Sequence, residues 1–162
     1  MKTPRRLRTE ASTWSEGTQV VHAGEERASA FGAVGTPIIQ SSTFVFDDNE
    51  DLERYLAGDA DRHLYTRWSN QTVDVAEAKL ATLEGAEGAL AFSSGMAAIS
   101  AVLGSLTGTG SEVVAHRVLY GCTYSLLTNW YPRMKIGVKF VDFTNPSEVR
   151  KAITERTRVL YM

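Results

Sequence analysis

Cysteine is almost missing from this sequence: Cys122 is the only one among 162 residues. No internal disulfide can form, which fits a reducing compartment. Histidine is scarce as well. His22, His63 and His116 stand far apart, with no helical pair and no cysteine at zinc-ligand spacing, and this argues against a metal site. Long apolar runs are absent: none approaches the roughly 20 residues of a membrane helix, and the N-terminus lacks the apolar core of a signal peptide. Charge of one sign is not in excess either. A net charge of −2 argues against general affinity for nucleic acid or anionic membranes, and the basic cluster Lys2, Arg5, Arg6 and Arg8 reads as a solvated arm. The expectation is a cytoplasmic protein that works on neither nucleic acid nor membrane.

What is present is ordinary for a globular chain, with 43% hydrophobic and 22% charged residues, enough for one domain or part of one. Residues 1–13 are polar and basic without periodicity and read as an arm. A short helix over 18–23 ends at Gly24, residues 36–40 are extended around Pro37, and a helix over 49–56 takes Asp47 or Asp48 as cap and Gly58 as stop. Residues 59–72, polar and aromatic, have the length of a functional loop. A helix over 73–83 follows, with Val73, Ala76, Leu80 and Leu83 on one face and Gly85 past its end.

From there the pattern becomes regular. Apolar runs at 88–92, 111–116, 137–142 and 157–162 alternate with helical stretches at 95–106, 120–131 and 146–154. Alternation of this kind predicts an α/β fold, a mostly parallel sheet with right-handed crossovers and helices on both faces. Ligands of such sheets sit at the C-terminal ends of the strands. Two turns reach that edge. The first is Phe92-Ser93-Ser94-Gly95-Met96-Ala97-Ala98, a strand-to-helix seam whose small residues and helix-start N–H groups suit a phosphate, although on this stretch alone an empty seam is equally consistent. The second is Leu119-Tyr120-Gly121-Cys122-Thr123. No Gly-x-Gly-x-x-Gly follows any strand, which weakens a dinucleotide-binding reading. The apolar run at the end, 158–162, would leave sheet edge and core uncovered, so the expectation is an incomplete domain.

Taken together, the ordered segments resemble the N-terminal part of the pyridoxal-phosphate enzymes of cysteine and methionine metabolism. That family includes cystathionine γ-synthase, cystathionine γ-lyase, methionine γ-lyase and O-acetylhomoserine sulfhydrylase. The matching pieces are Thr18-Gln19-Val20-Val21-His22-Ala23-Gly24, Thr36-Pro37-Ile38-Ile39-Gln40-Ser41-Ser42-Thr43-Phe44 and Tyr65-Thr66-Arg67-Trp68-Ser69-Asn70-Gln71-Thr72. They continue with Leu83-Glu84-Gly85, Ser93-Ser94-Gly95-Met96-Ala97-Ala98-Ile99, Tyr120-Gly121-Cys122-Thr123 and Thr157-Arg158-Val159-Leu160-Tyr161.

The resemblance implies an incomplete large domain of the fold-type I pyridoxal-phosphate transferase kind. Residues 1–60 would be an arm and limb reaching a neighbouring subunit, and residues 61–162 the first portion of the cofactor-binding domain. It implies pyridoxal 5'-phosphate as cofactor. The N–H groups of Gly95 and Met96 would hold the phosphate, Tyr65 and Arg67 would reach it from the neighbouring subunit, and Tyr120 would stack on the ring and carry protons. Cys122 stands where some γ-lyases have an active-site cysteine, and a small thiol without chemical role is as consistent. Gln71 departs from the family's proline at that position.

The family's Schiff-base lysine, its aspartate on the pyridine nitrogen and its carboxylate-binding arginine would all follow position 162. None of Lys2, Lys79, Lys135, Lys139 and Lys151 has the family's Ser/Thr-rich context, so residues 1–162 alone are expected to be inactive. The implied partners are a second chain carrying that lysine, or identical or homologous subunits in a dimer or tetramer, with a small amino acid as substrate. The reaction would be γ-elimination or γ-replacement on a sulfur-containing or O-acylated homoserine-type amino acid. The alternative is a non-catalytic scaffold or regulatory subunit.

Overall fold

Val113, Val114 and Ala115 are fully shielded from solvent, and the strand they form organises the second half of the chain. The structure, a computed structural model, describes residues 13–25, 33, 35–60 and 62–162. The arm expected over 1–13 lies outside these residues apart from Thr13, as does most of the stretch 26–34. The chain divides into two compact units, residues 1–91 and 92–162.

The second unit opens with helix α4 (Gly95–Leu106), followed by strand β1 (Glu112–His116) and helix α5 (Gly121–Ser125). A π-helical turn (Leu126–Trp130) and a 3-10 turn (Pro132–Met134) lead to strand β2 (Gly137–Val141), helix α6 (Pro146–Ala152) and strand β3 (Thr157–Tyr161). The sheet is parallel, in the order β2-β1-β3, with β1 central. The path moves one way from β1 to β2 and back past β1 to β3, so right-handed crossovers place its connections on opposite faces. Burial follows the two-residue period. Val113 and Ala115 join Leu103, Leu127, Tyr131 and Ile136 in one core, while Val114 is equally buried on the other face. Each fully buried aliphatic side chain here contributes about 1.5–3 kcal/mol.

The expected strand over residues 88–92 is not formed: Leu90 is 77% exposed, Phe92 is 44% exposed, and neither pairs with the sheet. A strand exists only where a neighbour completes its ladder of hydrogen bonds, and no described residue supplies that neighbour. The other three strands fall within one residue of expectation.

Below the sheet, Glu112 is buried at the start of β1 and receives hydrogen bonds from Lys139 Nζ at 3.0 Å and Thr154 Oγ1 at 2.7 Å, with Arg156 pairing its other oxygen. One carboxylate thus ties together the N-terminal ends of all three strands. Gly137 makes the room, since a Cβ there would come within 2.9 Å of Glu112 Cγ.

The first unit contains helices α1 (Glu16–His22), α2 (Asn49–Ala57) and α3 (Gln71–Leu83). Helix α1 ends against α3 at Gly24, whose φ of +76° and closeness to Ala78 exclude a side chain. Lys79 of α3 donates to the carbonyls of Val20 and Val21, neutralising the C-terminal end of α1, and pairs with Glu25 at 2.8 Å. Asp48 caps α2, with Gly58 as its left-handed stop. Residues 36–40 run beside the start of α3: Asn70 Nδ2 donates to Ile39 O, the Ile39 N–H donates to Thr72 Oγ1, and Thr72 Oγ1 donates to Pro37 O. Gln71 occupies the first helical position, and Asn70 caps the helix at the Thr72 N–H. Among the described residues no helix is long and apolar enough to cross a membrane, and no group of three or more His, Cys, Asp or Glu could hold a metal ion.

Candidate functional site

Helix α4 begins at a turn whose hydrogen bonding is half completed. Ser94, extended at its backbone, accepts the Ala97 N–H on its Oγ at 3.1 Å and the Ala98 N–H on its carbonyl at 3.1 Å. Among the described residues nothing accepts from the N–H groups of Gly95 and Met96. They form a donor pair at the positive end of a twelve-residue helix. A Cβ on Gly95 would meet no atom within 4 Å, so the space before the pair is open.

The second turn leaves the C-terminal end of β1 through residues 117–120. Tyr120 stands at the start of α5 with its ring 68% exposed, and Cys122 is also exposed. Between them and the core, Thr123 is fully buried and its Oγ1 lies 3.6 Å from Met96 Sδ. That contact joins the starts of α4 and α5, so Gly95, Met96, Tyr120 and Cys122 gather at the edge of the sheet where its strands end. The Tyr120 phenol is held above its ordinary value, first by its hydrogen bond with the Cys122 side chain, then by the charge a thiolate there would carry. At neutral pH it is therefore a protonated group.

Tyr65 and Arg67 belong to the first unit. They sit on a turn in which Tyr65 pairs with Thr43 as an isolated antiparallel bridge, flanked by Phe44 N–H to Leu64 O and Thr66 N–H to Ser42 O. The Arg67 guanidinium lies 5.3 Å from the centre of the Tyr65 ring, and both side chains are exposed. With Thr43, Phe44, Leu64 and Trp68 they line an open hollow of about 350 Å³. A cation and a phenol facing outward from one turn suit an anionic ligand.

Two contributors are not evident in the sequence. Thr123 acts through burial, and nothing in a Gly-Cys-Thr triplet announces that contact. His63, whose spacing suggests no metal ligand, instead contacts Ser69 and Asp74.

The family model described as "Cys/Met metabolism PLP-dependent enzyme" matches residues 17–162. The chain belongs to this family. Pyridoxal phosphate is the family's cofactor. The chain is 41% identical over 153 residues to the L-methionine gamma-lyase of Fusobacterium nucleatum subsp. polymorphum, covering 94% of this chain and 38% of that protein. It is 37% identical over 144 residues to the O-acetyl-L-homoserine sulfhydrylase of Leptospira meyeri, covering 89% of this chain and 33% of the relative. The crystal structure of metB from Corynebacterium glutamicum superposes with a TM-score of 0.83 at 31% identity, over 94% of this chain and 38% of that one. The chain thus spans 33% to 38% of the length of these family members. The donor pair at Gly95 and Met96 fits the phosphate of the family's cofactor in charge and in open space.

Proposed function

We propose that this chain is the portion of a pyridoxal-phosphate enzyme that grips the cofactor's phosphate and covers its ring. The reaction is γ-elimination or γ-replacement, breaking a C–S or C–O bond in a sulfur-containing or O-acylated homoserine-type amino acid. Its relatives by name include both a lyase and a sulfhydrylase, which supports the pair of reactions without choosing between them. The observation that carries the reading is the free N–H pair of Gly95 and Met96 beside the Tyr120 turn. When bound, pyridoxal phosphate would supply an electron sink for the electron pairs left behind as protons leave an amino acid's carbon atoms.

This chain's residues bind, cover and donate. Gly95 and Met96 hold the phosphate with backbone N–H groups, and Tyr65 and Arg67 of a neighbouring subunit complete the grip. Tyr120 covers the ring with its face and holds a proton at Oη, with Cys122 in contact. The cofactor-bearing lysine is supplied by a segment or chain other than residues 1–162. Two of the lysines here are already engaged: Lys79 with two carbonyls and Glu25, Lys139 with Glu112 and the Ala152 carbonyl. The limb formed by residues 1–60 serves contact between subunits of a cytoplasmic dimer or tetramer.

Gly95→Pro tests the grip directly. Proline suits the first helical position, and Ser94 already has the extended backbone that a following proline requires, so α4 keeps its start while one donor disappears. The expected result is a fold unchanged by circular dichroism and an affinity for pyridoxal phosphate lower by about 10- to 100-fold, the weight of a hydrogen bond to a charged group. Equal affinity in the variant would remove this turn from the binding site.

A further inference from the structure

The turn that carries Tyr65 and Arg67 is closed by two side-chain links. Asn70 Nδ2 donates to Thr66 Oγ1 at 3.1 Å, and His63 Nδ1 lies 2.9 Å from Ser69 Oγ. Asn70 is also the cap of α3 and a tie to Ile39, so its work is shared with the helix. His63 caps nothing. It stands two residues before Tyr65, mostly shielded, and its ring packs against Phe44 with centroids 5.4 Å apart. Its Nε2 faces the Asp74 carboxylate of α3 at 3.8 Å. The Nδ1–Ser69 hydrogen bond forms with the ring nitrogen as donor or acceptor, because the serine hydroxyl can take either part. One imidazole therefore touches the strand entering the hollow, the residue where the turn ends, and the helix behind it.

We infer that His63 is the positioning residue of the Tyr65–Arg67 turn, setting the direction in which the phenol and guanidinium face an anionic ligand. This rests on the phosphate-gripping role proposed above. Without the link from His63 to Ser69, the turn keeps its backbone bonds at Trp68 N–H and Ser69 N–H to Tyr65 O and the Asn70–Thr66 link, but loses one of its two side-chain ties.

The test uses the full chain in the assembly it forms. His63→Phe keeps a ring against Phe44 and removes both nitrogens, while His63→Asn restores a polar atom near the Nδ1 position. Hydrogen exchange read by mass spectrometry compares amides 64–69 with those of α3. The expected result for His63→Phe is exchange about five- to tenfold faster over 64–69 with α3 unchanged, and a similar loss of affinity for pyridoxal phosphate. His63→Asn recovers most of both. Ser69→Ala breaks the same link from its other end and reproduces the Phe result, whether or not His63→Phe folds. Unchanged exchange in these variants overturns the inference, as does an Asn variant no better than Phe, or a rise spread equally over α3. A wild-type protein without affinity for pyridoxal phosphate would instead overturn the proposed function, and the exchange comparison would still decide whether His63 holds the turn.

Discussion

Under the proposed function, Tyr120 is the residue that handles a proton. Its ring is exposed at the strand-end edge, and the Cys122 side chain raises the phenol above its ordinary value. A group that stays protonated at neutral pH donates before it accepts. In the assembled enzyme, Tyr120→Phe keeps the covering ring face but removes that proton. Affinity for pyridoxal phosphate then stays nearly unchanged while turnover falls by about 10²- to 10⁴-fold, checked by cofactor titration beside steady-state kinetics. The positions given these roles in the proposal were legible in sequence as turn motifs, Gly95 and Met96 after Ser94 and Tyr120 before Gly121, and the structure places them at the starts of α4 and α5. His63 and Thr123 were not legible, since each works through a partner, Ser69 or Met96, whose closeness only the fold creates.

At the scale of elements, local rules decided most of what forms. Ser94 and the apolar run after it define α4 from Gly95 to Leu106, as expected, and Asn70 extends α3 two residues ahead of its apolar stripe. The π-helical turn over Leu126–Trp130 was not legible, because its bond from Tyr131 N–H to Leu126 O demands no particular residue. Residues 88–92 have a strand's composition without its structure, since pairing is supplied by a neighbour and not by the segment itself. The sheet's other end depends on one ionised group. Glu112 is held below its ordinary value of 4.5, chiefly by Thr154 and then by Lys139. Because the folded value is the lower one, this stabilisation is complete above the ordinary value and disappears as pH falls through the folded one. Thermal unfolding followed from about pH 6 to about pH 2 should show a midpoint that drops steeply below about pH 4.5. Glu112→Gln should start from a lower midpoint and show a shallower acid slope. Parallel slopes in the two proteins would mean that Glu112 does not tie the strands.

For the whole molecule, the first unit carries a phenol and a guanidinium on one turn, and the second a helix start beside an exposed tyrosine. Under the proposed function both sets serve the cofactor, the first pair reaching it from a neighbouring subunit. The family's order of motifs made the family membership readable over residues 17–162, whereas a subunit contact leaves no signal in the composition or periodicity of a single chain. The central claim is that the chain grips the cofactor while the lysine lies outside it. Borohydride reduction of the protein, isolated with whatever accompanies it and followed by peptide mass mapping, tests this most directly. The account predicts a pyridoxyl-lysine on a segment or chain other than residues 1–162. An adduct on Lys2, Lys79, Lys135, Lys139 or Lys151 would contradict it, and so would a preparation that takes up no pyridoxal phosphate at all, the behaviour of a scaffold.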